Sequence, residues 1–457
     1  MTIRLPSASA VRPQVAPQSE SVRMSRPPTA EPLATNRFRD AMELRPARAP
    51  LKQLFTDFAR PRSHGAERTT EDALADMDSL LRGPSISREE NGATVLNDAP
   101  YVNDSRDLGT GLIPARFNAA TQQVEANAAL ESEYLAKMTP EEQAQYESVK
   151  QACLDAGDPV AALSLQKLLF EGKLPGEKDL MGEGTLLDQL ALAADPETPM
   201  VEGLDRGAFL CDLVQELATP SAIAQRGVGT CAPTTLAIDL AMRNPAEYAR
   251  IAMGLASPEG KVTLAGGMEI EREPGTATED GKDRSNVQRL MGSALMEVAN
   301  GSRDYDNETE EGDGANARDL DTLNEAIWGR PMEHKGLGTP KERAEAMDII
   351  DAQLAAGHSV SVGLTWGEDS AHKVLVTGTE TIDGQEYINY INPWGREERM
   401  LREEFEARMI DINYDPKGTR PIRPPGIHIP VASERPPALP PEGLDLEQLR
   451  RAIQLRG

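Results

Sequence analysis

From residue 139 onward the apolar residues fall into a helical period. In TPEEQAQYESVKQAC, Tyr146, Val149 and Cys153 recur at three- and four-residue spacing behind Thr139, Pro140 and Glu142, the signature of a capping box with proline at the first helical position. DPVAALSLQKLLFEG opens on Asp158-Pro159, TLLDQLALAA follows, and GAFLCDLVQELATP stops at Pro220. Further helices are predicted over 232–243, NVQRLMGSALMEVANG and TPKERAEAMDIIDAQLAAG, the last with a second capping box from Thr339 to Glu342. ASPEGKVTLAGGMEIERE reads as two short strands. After residue 358 the period changes to two: Val360, Val362, Leu364 and Trp366 alternate, and HKVLVTGTETIDGQEYINYINPWG reads as two strands around Asp383-Gly384. Helices first and strands later predict an α+β fold.

The periodic pattern bounds the domains. Residues 1–124 hold nine prolines before residue 66 and no sustained period, so they read as a mostly disordered N-terminal segment with short helices at LKQLFTDFA and TEDALADMDSLL. A small helical region covers 125–220 and an α+β domain 221–415. Residues 416–457 carry nine prolines by residue 441 and form a proline-rich tail ending in a short helix at LDLEQLRRAIQL.

Composition sharpens this picture. The 457 residues are 39% hydrophobic and 4% aromatic, with 37 Gly and 34 Pro. Residues 1–68 hold 12 Lys/Arg against 6 Asp/Glu, so the net charge of −26 places about −32 on the rest. An acidic body repels phosphate backbones, which argues against nucleic acid as a partner. No apolar run is long enough to span a membrane, and MTIRLPSASAVRPQ lacks the apolar region of a secretory signal. The expectation is cytoplasmic synthesis, with export by a signal-peptide-independent route compatible with the N-terminus. Cys153, Cys211 and Cys231 include no CxxC pair and the five histidines no HExxH, so neither a disulfide framework nor a structural zinc site is expected. The acidic loop 303–314 lacks the glycine and glutamate of a calcium-binding loop and reads as a solvated charge run. Cys153 and Cys211 sit on apolar helix faces as core cysteines. His64, His334 and His358 read as loop or surface residues, His428 as part of the tail, and Trp328 and Trp366 as core.

Cys231 differs in context. QRGVGTCAPTTLAIDLAM places it after Gly227 and Gly229, which permit a tight loop, and just before Pro233 and a buried helix. A helix N-terminus favours a thiolate, the form of cysteine that acts as a nucleophile. An imidazole must come from elsewhere, and His372, opening a strand, is the candidate. Asn392, ending the next strand, can hold that imidazole in one tautomer, with Asp369 as the competing orienter. Gln225, six residues before Cys231, can supply an amide N–H beside the Cys231 backbone N–H to an oxyanion.

Q-x5-C, then H, then N-P-W-G in that order resembles the papain-like cysteine peptidase superfamily, and the glycine spacing before the cysteine is similar to the calpain catalytic core. The resemblance covers about residues 221–396. It implies a helical subdomain against an antiparallel sheet, with Cys231 as nucleophile, His372 as base and acid, Asn392 as orienting amide, Gln225 in the oxyanion hole and Trp394 shielding the Asn–His bond. It also implies a polypeptide substrate and no cofactor. Ala232 and Pro233 stand where the family usually has an aromatic after the nucleophile. A transglutaminase or deamidase acting on protein glutamine, and a non-catalytic interaction protein on a degenerate hydrolase fold, are the alternatives. The N-terminal segments are compatible with an intramolecular inhibitory segment or a docking arm. One geometric demand follows. A strict two-residue hairpin at Asp383-Gly384 sets Leu375 opposite Asn392 and turns His372 to the other face, so a bulge or an odd-length loop around 381–386 is required.

Overall fold

The computed structural model describes residues 68–82, 85–97, 112–301, 305–306, 314–315, 317–367 and 370–416. It is α+β. The helices α1 (Thr70–Leu81), α2 (Leu112–Ala126), α3 (Ala128–Leu135), α4 (Pro140–Asp155), α5 (Pro159–Phe170), α6 (Leu186–Ala194), α7 (Arg206–Ala218), α8 (Cys231–Arg243), α9 (Pro245–Ala256), α10 (Asn286–Ala299) and α11 (Ala317–Trp328) form one body. The short strands β3 (Lys261–Thr263) and β4 (Glu269–Glu271) pair at its edge, as expected. The second body is an antiparallel sheet in the order β1-β2-β9-β8-β7-β6-β10-β5, carrying the helices α12 (Pro340–Ala355) and α13 (Arg402–Arg408). Its strands are β1 (Ser85–Glu90), β2 (Ala93–Asn97), β5 (Glu333–Gly336), β6 (Val360–Trp366), β7 (Ser370–Ile382), β8 (Gln385–Asn392), β9 (Arg396–Leu401) and β10 (Met409–Tyr414).

Helix starts follow the local chemistry. Thr139 accepts from the Glu142 N–H while the Glu142 carboxylate accepts from the Thr139 N–H, and Thr339 and Glu342 repeat the exchange. Asp158 accepts from the Val160 and Ala161 N–H groups at the start of α5. The same grammar builds α9, absent from the sequence reading: Asn244 accepts from the Glu247 N–H and Pro245 takes the first helical position.

Two expectations about boundaries change. The helical region does not stop at residue 220, because Phe209, Leu213 and Leu217 of α7 share one buried cluster with Leu236, Leu240, Leu290 and Leu295. Order also begins well before residue 125. Met77, Leu80 and Leu81 of α1 lie in that same cluster, and β1–β2 adds two strands to the sheet by pairing β2 with β9. The helix over 70–81 matches its expectation. LKQLFTDFA, LDLEQLRRAIQL, His64, His428 and Asp369 lie outside the described residues, as does most of the acidic loop.

The inner face of the sheet explains where the site sits. Val360, Val362, Leu364, Val374, Val376, Ile388, Tyr390 and Met400 pack with Phe405 and Ile350 into a second core. The same alternation continues to Trp366, His372, Asn392, Arg396 and Glu398, so this face turns from apolar to polar at one end.

Candidate active site

The required irregularity is present, within the strand. Asp383 and Gly384 form a strict two-residue turn with φ of 51° and 80°, and pairing runs regularly from Ile382↔Gln385 to Gly378↔Asn389. At Thr377 the register shifts, and Val376 then faces Tyr390 and Leu375 faces Ile391. Thr377 is therefore a bulge residue, and one step of register brings His372 and Asn392 to the same face.

His372 Nε2 lies 2.9 Å from Asn392 Oδ1. The Asn392 amide cannot be reversed: its Nδ2 donates to Glu398 Oε1 at 3.1 Å, and its Oδ1 accepts from the Trp394 N–H at 3.1 Å. Because Oδ1 only accepts, the bond to His372 fixes the proton on Nε2 and leaves the Nδ1 lone pair as the basic position. Burial holds the His372 pKa down to about 4, the Asn392 bond opposing and the Arg396 charge assisting, so the imidazole is neutral at pH 7. The rings of Trp366 and Trp394 flank His372 with centroids at 4.9 and 5.0 Å. Trp394 stands where the resemblance implied a shield, and half-buried Trp366 is a wall of the site as well as a neighbour of the sheet core.

Cys231 is the first residue of α8, and it alone of the three cysteines is not buried. The Thr230 side chain makes no capping bond to this helix. Thr235, one turn further, ties the helix to the histidine strand: its hydroxyl reaches the Cys231 carbonyl at 2.8 Å and the Lys373 carbonyl at 3.1 Å. One side chain thus spans the gap between the cysteine and the neighbour of His372.

Gln225 joins the site through its backbone. Its N–H donates to Pro393 O at 2.8 Å, and Ala224 forms a bridge with Trp394. This crossing explains the glycine of N-P-W-G. Gly395 has φ of 80°, and a Cβ there would stand 3.0 Å from Ala222 O and 3.1 Å from Ala224 Cβ. The Gln225 side chain is less simple than expected: Nε2 donates to Val228 O at 2.6 Å, so one of its two N–H groups latches its own loop, while Oε1 is buried with no hydrogen-bond partner. The left-handed residue of that loop is Arg226, with φ of 58°, and not Gly227 or Gly229. A Cβ on Gly227 would meet nothing, so this glycine leaves open space beside the site.

The other expected positions divide. Cys153 and Cys211 are buried in the helical core and Trp328 closes α11 in that core, as expected. His358 lies in a loop, between α12 and β6, but is buried there, beside Ser359, whose hydroxyl bonds Asp239. His334 is half-buried on β5. Among the described residues no group of three or more His, Cys, Asp or Glu side chains could hold a metal ion, and no helix is long and apolar enough to cross a membrane.

Sequence reading passed over Thr235, Glu398, Arg396 and Glu90. The Glu398 carboxylate that fixes Asn392 accepts from Arg396 Nε at 2.5 Å, and Arg396 in turn grips Glu90 of β1 and lies 5.0 Å over the Trp394 ring. The alternation of Arg396, Glu398 and Met400 was a strand signal. So was Asn91-Gly92, the strongest short-range mark of a hairpin. No protein-family model matches this chain, and a search of curated proteins finds no similar sequence.

Proposed function

We propose that the protein is a cysteine peptidase of papain-like type, cutting peptide bonds through a Cys231–His372–Asn392 centre. The observation that carries the reading is the locked amide of Asn392, which leaves His372 Nδ1 basic on a strand tied by Thr235 to the first turn of the cysteine helix. The Cys231 thiol gives its proton to His372 Nδ1 and its sulfur attacks the carbonyl carbon. The second Nε2 hydrogen of Gln225 and the Cys231 backbone N–H receive the oxyanion. His372 then protonates the leaving amine as the C–N bond breaks, and next takes a proton from the water that hydrolyses the thioester. The buried, neutral imidazole suits its first task, and a helix N-terminus favours negative charge on the sulfur. Asn392 as the orienting group, with the carboxylate of Glu398 held one residue further back, favours hydrolysis over the glutamine-directed alternative.

Incubation with a peptide library, read by mass spectrometry against Cys231→Ala and His372→Ala, tests the reading. Cleavage by the intact chain, lost in both variants, is the expected result. Glutamine side chains altered without any break in the peptides would overturn it in favour of acyl transfer on glutamine. Untouched peptides at every concentration would favour the non-catalytic interaction protein.

A further inference from the structure

The base of the site is held from a part of the chain far from it in sequence. Glu90 ends β1, the outermost strand at its side of the sheet, just before the Asn91-Gly92 turn. The registers Glu90↔Ala93, Ala93↔Met400 and Val95↔Glu398 place Glu90 on the same face as Glu398 and Arg396. Its carboxylate takes a two-pronged grip from Arg396, Nη2 to Oε1 at 2.9 Å and Nη1 to Oε2 at 3.2 Å, and a further bond from Arg88 at 2.8 Å. Burial acts to raise the Glu90 pKa, but the bonds from Arg396 and then Arg88 outweigh it, so the carboxylate is charged at neutral pH. Arg396 has its third donor, Nε, on Glu398 Oε1, the oxygen that also accepts Asn392 Nδ2. The fork of one guanidinium is therefore divided between two carboxylates, and that division leaves Glu398 turned toward Asn392.

We propose that Glu90 is a positioning residue for the active site: by occupying both terminal nitrogens of Arg396, it keeps Glu398 on Asn392 and thereby His372 in its working tautomer. The inference rests on the peptidase reading of Cys231 and His372. The β1–β2 hairpin is then a working part of the site, since without Glu90 the full fork of Arg396 is available to Glu398 and draws its carboxylate off the amide. The Arg396 charge, which disfavours the imidazolium, would also lose one of its two counter-charges. Both effects have the same sign. They weaken the proton-accepting power of His372 and leave the rest of the fold in place, because Glu90 is partly solvent-exposed.

The test is the rate of iodoacetamide addition to Cys231 in the full chain, followed by peptide mass mapping from about pH 5.5 to about 9.5, for wild type, Glu90→Gln and Glu90→Asp. In Glu90→Gln the rate near neutral pH falls about 3- to 10-fold and converges with wild type at the alkaline end, where a thiol ionises without help from an imidazole. Glu90→Asp, which keeps the charge, recovers part of the loss. A Glu90→Gln profile equal to wild type, or a slowing by the same factor at every pH, overturns the proposal. The ¹⁵N resonances of His372 give a second measurement that does not depend on thiol reactivity. Wild type carries its proton on Nε2, and Glu90→Gln shifts both ring nitrogens toward a mixed tautomer. If wild-type Cys231 titrates as an ordinary thiol, the peptidase reading fails, and these resonances still decide the role of Glu90: unmoved signals overturn it.

Discussion

Two pairs of carboxylates, Glu90 and Glu398 of the sheet and Asp212 and Glu216 of the helical body, are held in opposite ways. In the sheet, Glu398 is met by the Arg396 guanidinium and the Asn392 amide, and Glu90 by Arg396 and Arg88. In the helical body, Asp212 and Glu216 lie one turn apart on α7 and receive mainly neutral donors. Asp212 accepts from the N–H and side-chain amide of Asn286, both at 2.7 Å, and Glu216 from Ser285 at 2.6 Å, Tyr248 at 2.5 Å and Gln288 at 3.5 Å. Neutral donors do not offset burial. Burial pushes Asp212 up to about 8, the bonds from Asn286 opposing and the Glu216 charge assisting. It pushes Glu216 up to about 7 against those three donors and the Arg226 charge. The arginines thus hold Glu90 charged at neutral pH, while the Asp212–Glu216 pair behind the cysteine helix titrates there.

The comparison breaks most readily where the two bodies cross. Gly395 and Gly384 both have φ of 80°, but only Gly395 lies against the loop that leads to Gln225. Gly395→Ala is expected to cost about 3 kcal/mol, combining a left-handed alanine with a displaced Ala222–Ala224 segment. Gly384→Ala is expected to cost about 1 kcal/mol, for the backbone conformation alone. Urea unfolding of the two variants measures the difference. Equal costs would mean that the crossing carries no stability.

The pH dependence sharpens the comparison with a smaller effect. Glu216 and Asp212 have raised values, so the stability they lend is complete below their ordinary values of 4.5 and 3.8 and is lost as pH rises through about 7 to 8. His372 is depressed from 6.5 to about 4, so its contribution is present above 6.5 and lost as pH falls through 4. Glu216→Gln keeps the size of the side chain and cannot ionise. Its urea midpoint should fall less than that of wild type between about pH 5.5 and 8.5, by the equivalent of about 1–2 kcal/mol. An identical fall would show that the α7 carboxyl pair does not titrate in this range.

The two bodies also differed in how far the sequence could be read. Helix starts in the helical body are local events, and Thr139 and Asp158 declared theirs within four residues. Where such a signal was passed over, as at Asn244-Pro245, it was still a local one. In the sheet, the residues that matter met across long separations. The positions of Cys231, His372, Asn392 and Trp394 were legible as motifs, and the need for a bulge was legible from parity. The place of the bulge at Thr377 was passed over, although the neighbouring Gly378 in VTGTETI is the kind of residue that marks an irregularity inside a strand. Glu90 and Glu398 stand 308 residues apart in a chain whose hairpin had read as part of a mostly disordered segment, and only the edge pairing of β2 with β9 brings them to one arginine.

The most direct test of the account is the intact mass of the full chain after exposure to an epoxysuccinyl inhibitor of papain-like peptidases, beside Cys231→Ala and His372→Ala. The account predicts a single adduct on Cys231, absent from Cys231→Ala although Cys153 and Cys211 remain, and strongly slowed in His372→Ala. Equal labelling of wild type and His372→Ala, or no adduct on folded wild type, would contradict it.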